Sequence, residues 1–216
     1  MNVLITSGGT REPIDGVRVI ANQSTGATGA MLADAFARTG AAVTLLRAQA
    51  SAAPADARVA CERFNTVDDL DRLCAEVLSQ QHIDVMIHAA AVSDFVVAAV
   101  VVNGVRQLAP VAQKLSSSAT LTVELKPGKK ILPQLKSYSQ NALLKLIGFK
   151  LTDGASPAET RDAVEKLFLA GADAVIHNDL QTISTLRATL WRANGDTQRL
   201  PTAADLAAAL IALAAS

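Results

Sequence analysis

Val3-Leu4-Ile5-Thr6-Ser7-Gly8-Gly9-Thr10-Arg11-Glu12-Pro13-Ile14-Asp15, followed by Ile20-Ala21-Asn22-Gln23-Ser24-Thr25-Gly26, runs an apolar strand into two small-residue turns. Glycine at a strand end lets the backbone approach a ligand closely, because it tolerates positive φ and has no Cβ. Such turns gather N–H donors around anionic oxygens. The second turn opens a predicted helix, Gly26 to Arg38, with Ser24 or Thr25 as the expected N-cap and Gly40 as its stop. A helix start also offers free N–H groups to an anion. In the dinucleotide fingerprint the glycines sit directly between strand and helix, whereas here a long segment intervenes. The stretch therefore points to an anion site that is not a plain dinucleotide-binding turn.

Working outward, Ala42 to Leu46 is the next predicted strand, which completes a βαβ unit. A loop over 48–57 leads to a helix from Thr66 to Gln80, capped by Thr66, with apolar Val67, Leu70, Leu73, Val77 and Leu78 near one face. Asp84 to His88 is a strand whose end carries Ala89-Ala90-Ala91-Val92-Ser93-Asp94. Between Phe95 and Leu125 the alternation breaks into valine-rich pieces around Asn103-Gly104, a two-residue hairpin signal. This insertion is expected to form a small lobe, a flap or a subunit contact. Beyond it the sequence predicts a helix over Lys129 to Gln140 despite Pro133, a strand over Leu144 to Leu151, a helix over Pro157 to Leu169 and a strand over Ala174 to His177. A second hairpin is predicted around Asn194-Gly195, between Leu186–Arg192 and Arg199–Leu200, before a closing helix from Thr202 to Ala214. The sum is a three-layer α/β, Rossmann-like domain over residues 1–216, with a mostly parallel central sheet and 95–125 as an inserted hairpin or flap.

Half of the 216 residues are hydrophobic and only 3% aromatic, which suits close helix-on-sheet packing in one sizeable core. Formal net charge is zero, arguing against a general nucleic-acid or membrane surface. Cys61 and Cys74 lack a C-x-x-C spacing, and His82, His88 and His177 lack a metal pattern, so no metal site is assigned. With no leader or spanning stretch, the expectation is a soluble, cytoplasmic protein.

Ligands of open α/β sheets bind beyond the carboxyl ends of the strands. Four clusters fall there: Gly8, Gly9 and Thr10; Ala89 to Asp94; Phe149 and Lys150; Asn178 and Asp179. Their convergence predicts one site.

Thr6 to Arg18, Asn22-Gln23-Ser24-Thr25-Gly26, Ala90 to Phe95, Lys114-Leu115-Ser116-Ser117, Ile147-Gly148-Phe149-Lys150 and Asn178-Asp179-Leu180 occur in an order that resembles the phosphopantothenate–cysteine ligase (phosphopantothenoylcysteine synthetase) family. In many bacteria this ligase is fused behind a flavin-dependent decarboxylase. The chain resembles the stand-alone bacterial form, which implies no flavin. It also departs from the fused form's Lys-x-Lys-Lys, keeping only the first lysine as Lys114.

The resemblance implies that the carboxylate of 4′-phosphopantothenate attacks the α-phosphate of a nucleoside triphosphate, CTP favoured over ATP, and that cysteine's amine then displaces the nucleotide. It implies Mg2+ arriving with the triphosphate rather than held in a protein cage, and a homodimer in which 95–125 reaches the partner subunit. Asn22 would hold the acyl group, with Gly8, Gly9, Thr10, Arg18, Ala89 and Ala90 binding substrate. Lys114, on a flap, would stabilise the triphosphate. His88, Ala89, Ala90, Asp94, Lys114, Lys129, Lys130, Ile131, Leu132, Phe149 and Lys166 would line the nucleotide pocket. Lys129 and Lys130 would open a helix, where cations are unfavourable and hint at a bound anion. Where the family carries a second basic residue one turn after Lys166, this chain has Ala170.

A short-chain dehydrogenase or epimerase is the rival enzyme class, but its chemistry wants a tyrosine followed four residues later by lysine, and Tyr138 has Ala142 there. A non-catalytic nucleotide sensor is the rival of another kind. It would have no use for Asn22, Asp94 and Lys114 together.

Overall fold

The computed structural model describes residues 1–116 and 120–216. Its strands are β1 (Asn2–Ser7), β2 (Arg11–Pro13), β3 (Val19–Ala21), β4 (Ala42–Ala48), β5 (Ala60–Phe64), β6 (Val85–His88), β7 (Phe95–Val102), β8 (Val105–Leu108), β9 (Leu121–Pro127), β10 (Lys145–Thr152), β11 (Ala174–Asp179), β12 (Ala188–Arg192) and β13 (Thr197–Leu200). The helices are α1 (Ala27–Arg38), α2 (Val67–Gln80), α3 (Leu135–Tyr138), α4 (Pro157–Leu169) and α5 (Ala203–Ala215).

Eight strands form the main sheet in the order β13-β12-β11-β10-β6-β1-β4-β5. From β5 to β11 every pairing is parallel, and β12 and β13 add an antiparallel edge. Chain direction across the sheet reverses between β1 and β6. That crevice is where open α/β sheets bind ligands. The expected α/β architecture is therefore present, with the two sequence hairpins where Asn-Gly placed them. Asn103 and Gly104 have φ of 49° and 84°, the pair of left-handed residues that a tight hairpin of this hand requires.

Two cores flank the sheet. Val3, Ile5, Leu45, Ile87, Ile147 and Ile176 pack with Leu32 and Phe36 of α1 and Leu206 and Leu210 of α5 on one face. Leu4, Leu46, Met86 and Leu146 meet Leu70, Cys74 and Leu78 of α2 and Leu135 of α3 on the other. The alternation of these side chains along each strand is what divides the layers. Strands β7, β8 and β9 form a separate three-stranded sheet in the order β8-β7-β9, and β2 with β3 forms a two-stranded hairpin. Helices α2, α4 and α5 each begin with a capping box, from Thr66/Asp69, Ser156/Glu159 and Thr202/Asp205.

Several expectations need correction. Gly26, in the left-handed region at φ 73°, is the N-cap of α1, in place of Ser24 or Thr25, and supplies no side-chain oxygen. The helix expected over 129–140 is confined to a 3-10 turn at Leu132–Gln134 and the single turn α3, because Pro133 has a fixed φ that suits only a first turn. Lys129 and Lys130 precede it in an irregular segment and do not open a helix. Strand β5, whose Ala-Cys-Glu-Arg-Phe has no apolar alternation, and the short β2–β3 hairpin were not foreseen. Ser117 of the Lys114-Leu115-Ser116-Ser117 segment lies outside the described residues.

Candidate active site

The crevice is built from the turns after β1 and β6, which are laced together. Ala91 N–H donates to Gly8 O at 2.8 Å and Thr10 N–H to Ala91 O at 3.2 Å. Ser93 N–H donates to the buried Thr10 hydroxyl at 3.0 Å. Lower down, Thr6 Oγ1 accepts from Ala90 N–H at 3.2 Å and lies 2.9 Å from His88 Nδ1. Thr10 and the His88 side chain are thus committed to the floor, with Gly8 and Gly9 buried in it and Ala89 and Ala90 half-buried.

Asn22 leaves β3 and turns onto this floor, its amide donating to Val92 O at 3.1 Å. Gly9 makes that approach possible: a Cβ there would come within 2.6 Å of Asn22 O. A small cleft of about 80 Å³ lies where the two turns meet, bounded by Gly9, Asn22, Ser24 and Ser51. We predict that Gly9→Ala displaces the Asn22 turn, lowers turnover at least about tenfold and lowers the melting temperature, as steady-state rates and melting curves on the same preparation would check.

The β2–β3 hairpin also anchors the segment that carries Lys114. Asp15, 4% exposed, accepts from the N–H groups of Val17, Arg18 and Leu115 and from the Arg18 guanidinium. Burial alone would raise its carboxyl, but these donors outweigh it and hold the group well below the usual carboxylate range. Arg18 in turn donates to Leu115 O at 3.1 Å. Leu115 is buried, while Lys114 beside it is exposed and makes no side-chain hydrogen bond or ion pair among the described residues. Asn22 and Lys114 therefore belong to one tethered unit, with Arg18 as part of the tether.

On the other side of the crevice, Lys130 pairs with Asp94, both well exposed. Lys129 turns inward. Its ammonium lies 2.6 Å from Asp71, whose other oxygen accepts from Tyr138 OH at 2.8 Å. Both lysines thus pair with carboxylates of the protein, Lys129 with Asp71 and Lys130 with Asp94. Ile131 is buried in the α2–α3 core and fixes the turn, with Leu132 packed against that core. Phe149 is half-buried at the end of β10 on the α1 face. Lys166 is exposed in the last turn of α4, next to Leu167, which closes over Gly148 beside Leu132. Lys166 has no polar side-chain partner among the described residues.

Asp71 was not singled out from the sequence, although its place in the inward row Val67-Asp71-Cys74-Leu78 is a readable signal. A larger cavity of about 350 Å³ lies between Glu12 and Pro13, the start of α2, the inserted sheet and Lys129. Glu12 is buried there, its carboxyl raised by desolvation, and accepts from Val67 N–H at 2.9 Å.

Burial depresses the His88 imidazole to about 4. His177, buried and 2.8 Å from Thr152 Oγ1, is lowered for the same reason. Both are neutral when folded at neutral pH, whereas the unfolded chain takes up their protons below about pH 6.5. Their contribution is thus complete above that pH and is lost as pH falls toward 4, by up to about 3 kcal/mol for His88. Urea midpoints measured from pH 7.5 to 4.5 should fall, and His88→Gln should flatten the decline.

Among the described residues no cluster of three His, Cys, Asp or Glu side chains is placed to hold a metal, and no helix is long and apolar enough to cross a membrane.

Comparison with known proteins supplies the lineage. Residues 1–215 match the family model described as the DNA/pantothenate metabolism flavoprotein C-terminal domain. The chain is 35% identical over 184 residues to the coenzyme A biosynthesis bifunctional protein CoaBC of Thermococcus kodakarensis, covering 85% of this chain but 42% of that protein. It thus spans less than half the length of this curated relative. A crystal structure titled as the DNA/pantothenate metabolism flavoprotein from Streptococcus pneumoniae superposes with a TM-score of 0.86 at 27% identity, covering 99% of this chain and 97% of that one. The Cab2 H337A mutant in complex with phosphopantothenate-cysteine shares the fold, with a TM-score of 0.69 at 21% identity over all of this chain and 89% of that one. On the full-length match and the 35% identity, the chain belongs to the DNA/pantothenate metabolism flavoprotein C-terminal domain family.

Proposed function

We propose that this protein joins 4′-phosphopantothenate to cysteine at the expense of a nucleoside triphosphate, with CTP favoured and ATP the alternative, as a step of coenzyme A biosynthesis in the cytoplasm. Family membership and the coenzyme A role in the relative's name support the reading. The observation that carries it is the tethering of Asn22 and the Lys114 segment to one hairpin over the β1/β6 crevice.

In the first half-reaction a substrate carboxylate oxygen bonds to the α-phosphorus and pyrophosphate leaves. Asn22, with the Gly8-Gly9, Thr10 and Ala89-Ala90 backbone, holds the carboxyl end, and Lys114 neutralises charge building on the phosphates. Asp94 and Lys130 meet the nucleotide from the β6–β7 side, with the Ile131-Leu132 turn, Phe149 and Lys166 completing its pocket. In the second half-reaction the cysteine amine attacks the acyl carbon, the nucleoside monophosphate departs, and the amine's proton passes to solvent or phosphate. Mg2+ arriving with the triphosphate would supply further charge neutralisation.

We further read residues 1–216 as one ligase domain acting as a homodimer. Phe95, Val105, Leu121 and Leu125 expose apolar surface on the inserted sheet, a patch suited to a second copy. Pyrophosphate release from purified protein, with phosphopantothenate and each triphosphate in turn, with and without cysteine, tests the reading. Release that ignores phosphopantothenate would overturn it.

A further inference from the structure

Strand β10 outruns its neighbour β6. Their last pairing joins Gly148 to His88, after which β6 gives way to Ala89-Ala90, while β10 stays paired to β11 as far as Thr152. The unpaired end of β10 therefore borders the crevice, and Lys150 lies in the middle of it. Side chains alternate along a strand, so Lys150 shares its face with Leu146 and Gly148. Leu146 belongs to the core that Ala90 and Leu132 also pack against. At Gly148 this face is tightly covered: an added Cβ would lie 3.0 Å from Leu167 Cδ2 and 3.5 Å from Leu132 Cδ1. Two residues further along, Lys150 emerges from the seam at the edge where open α/β sheets bind ligands.

The lysine is half-buried, and its side chain forms no hydrogen bond or ion pair among the described residues. The carboxylates of Asp179 and Asp94 are engaged elsewhere. Asp179, at the end of the adjoining β11, accepts from the Thr152 hydroxyl at 2.6 Å and from the N–H groups of Gly154, Ala155 and Gln181. Asp94 pairs with Lys130. Directly across from Lys150 on β11 stands His177, whose imidazole is lowered first by burial; Asp179 opposes that shift and the Lys150 ammonium reinforces it.

A partly desolvated ammonium with no counter-ion is costly, and an arriving anion removes that cost. Position decides which anion. In the sheet order β11-β10-β6-β1, strand β6 separates Lys150 from β1 and the Asn22 turn, where the acid is held. Lys150 shares its face with the Leu132 turn on the nucleotide side, and a compact ammonium suits phosphate oxygens. We propose that Lys150 binds the phosphate chain of the nucleoside triphosphate, as a cation fixed on the sheet. The identity of the ligand as a nucleotide rests on the ligase reading, whereas the binding of a polyphosphate does not.

Lys150→Gln, with Lys150→Arg as the charge-preserving partner, tests the proposal. Inorganic tripolyphosphate, which is the chain without its nucleoside, should raise the melting temperature of the wild type and of Lys150→Arg, and leave Lys150→Gln nearly unmoved. In turnover, Lys150→Gln should raise KM for the triphosphate about 10- to 100-fold, with KM for phosphopantothenate and for cysteine unchanged. Lys150→Arg should recover most of that loss. A wild type that tripolyphosphate does not stabilise, or stabilisation undiminished in Lys150→Gln, would overturn the assignment, as would equal rises in KM for all three substrates. Should Lys150→Gln fail to fold, Lys150→Met takes its place under the same readings. If the wild type releases no pyrophosphate from any triphosphate, the ligase reading fails while the tripolyphosphate titration still judges Lys150.

Discussion

Lys114→Gln is expected to slow pyrophosphate release about 100- to 1,000-fold, the usual loss when a donor aimed at developing charge is removed from a preorganised site. The melting temperature should not move, because Lys114 is exposed and has no side-chain partner among the described residues. Its neighbour Leu115 carries the structural duty, buried and bonded through both backbone groups to Asp15 and Arg18. Glutamine keeps the length and some polarity of lysine but not the ammonium, so the comparison isolates charge. A single-turnover measurement of acyl nucleotide, quenched in acid, would place the loss in the first half-reaction. Normal pyrophosphate release by the variant would remove Lys114 from the mechanism.

Asn22→Asp should be as damaging, for a different reason. The native amide donates to Val92 O at 3.1 Å and is proposed to meet a substrate carboxylate. A carboxylate at this position loses the first contact and repels the second, since two acids sharing one site disfavour each other's ionised forms. We expect kcat/KM to drop about 100-fold or more, with partial recovery as pH is lowered toward the range where the introduced acid is protonated. Asn22→Ser removes the amide without adding charge and should lose less. Equal losses for the two variants, with no pH dependence, would show that charge at position 22 is irrelevant.

Much of this architecture was legible because parallel strands buried on both faces announce themselves as short apolar runs, as in Val3 to Ile5 and Val85 to Ile87. Both Asn-Gly hairpins were legible for a local reason: at Asn103-Gly104 few other residue pairs accept two positive φ values, and at the second Gly195 alone takes one. The 129–140 segment was misread because its apolar spacing is helical while Pro133 admits only a first turn. The α1 cap was misread because hydroxyl residues precede Gly26, yet the left-handed glycine takes the position. The strand-end clusters are neighbours in the sheet, and the crevice could be anticipated from chain order alone. The pairing of Lys129 with Asp71 could not, because it joins residues 58 apart through helix packing that no local pattern encodes.

The crossing at Asp15 has a mechanical implication. One carboxylate receives the hairpin's own loop, the Arg18 guanidinium and the backbone of the segment that carries Lys114. A hinge pinned at such a knot turns as a single lever, so a nudge given to the acid-holding arm is transmitted to the ammonium-bearing arm. The acid's arrival and the advance of the charge that activates it would then be one movement rather than two.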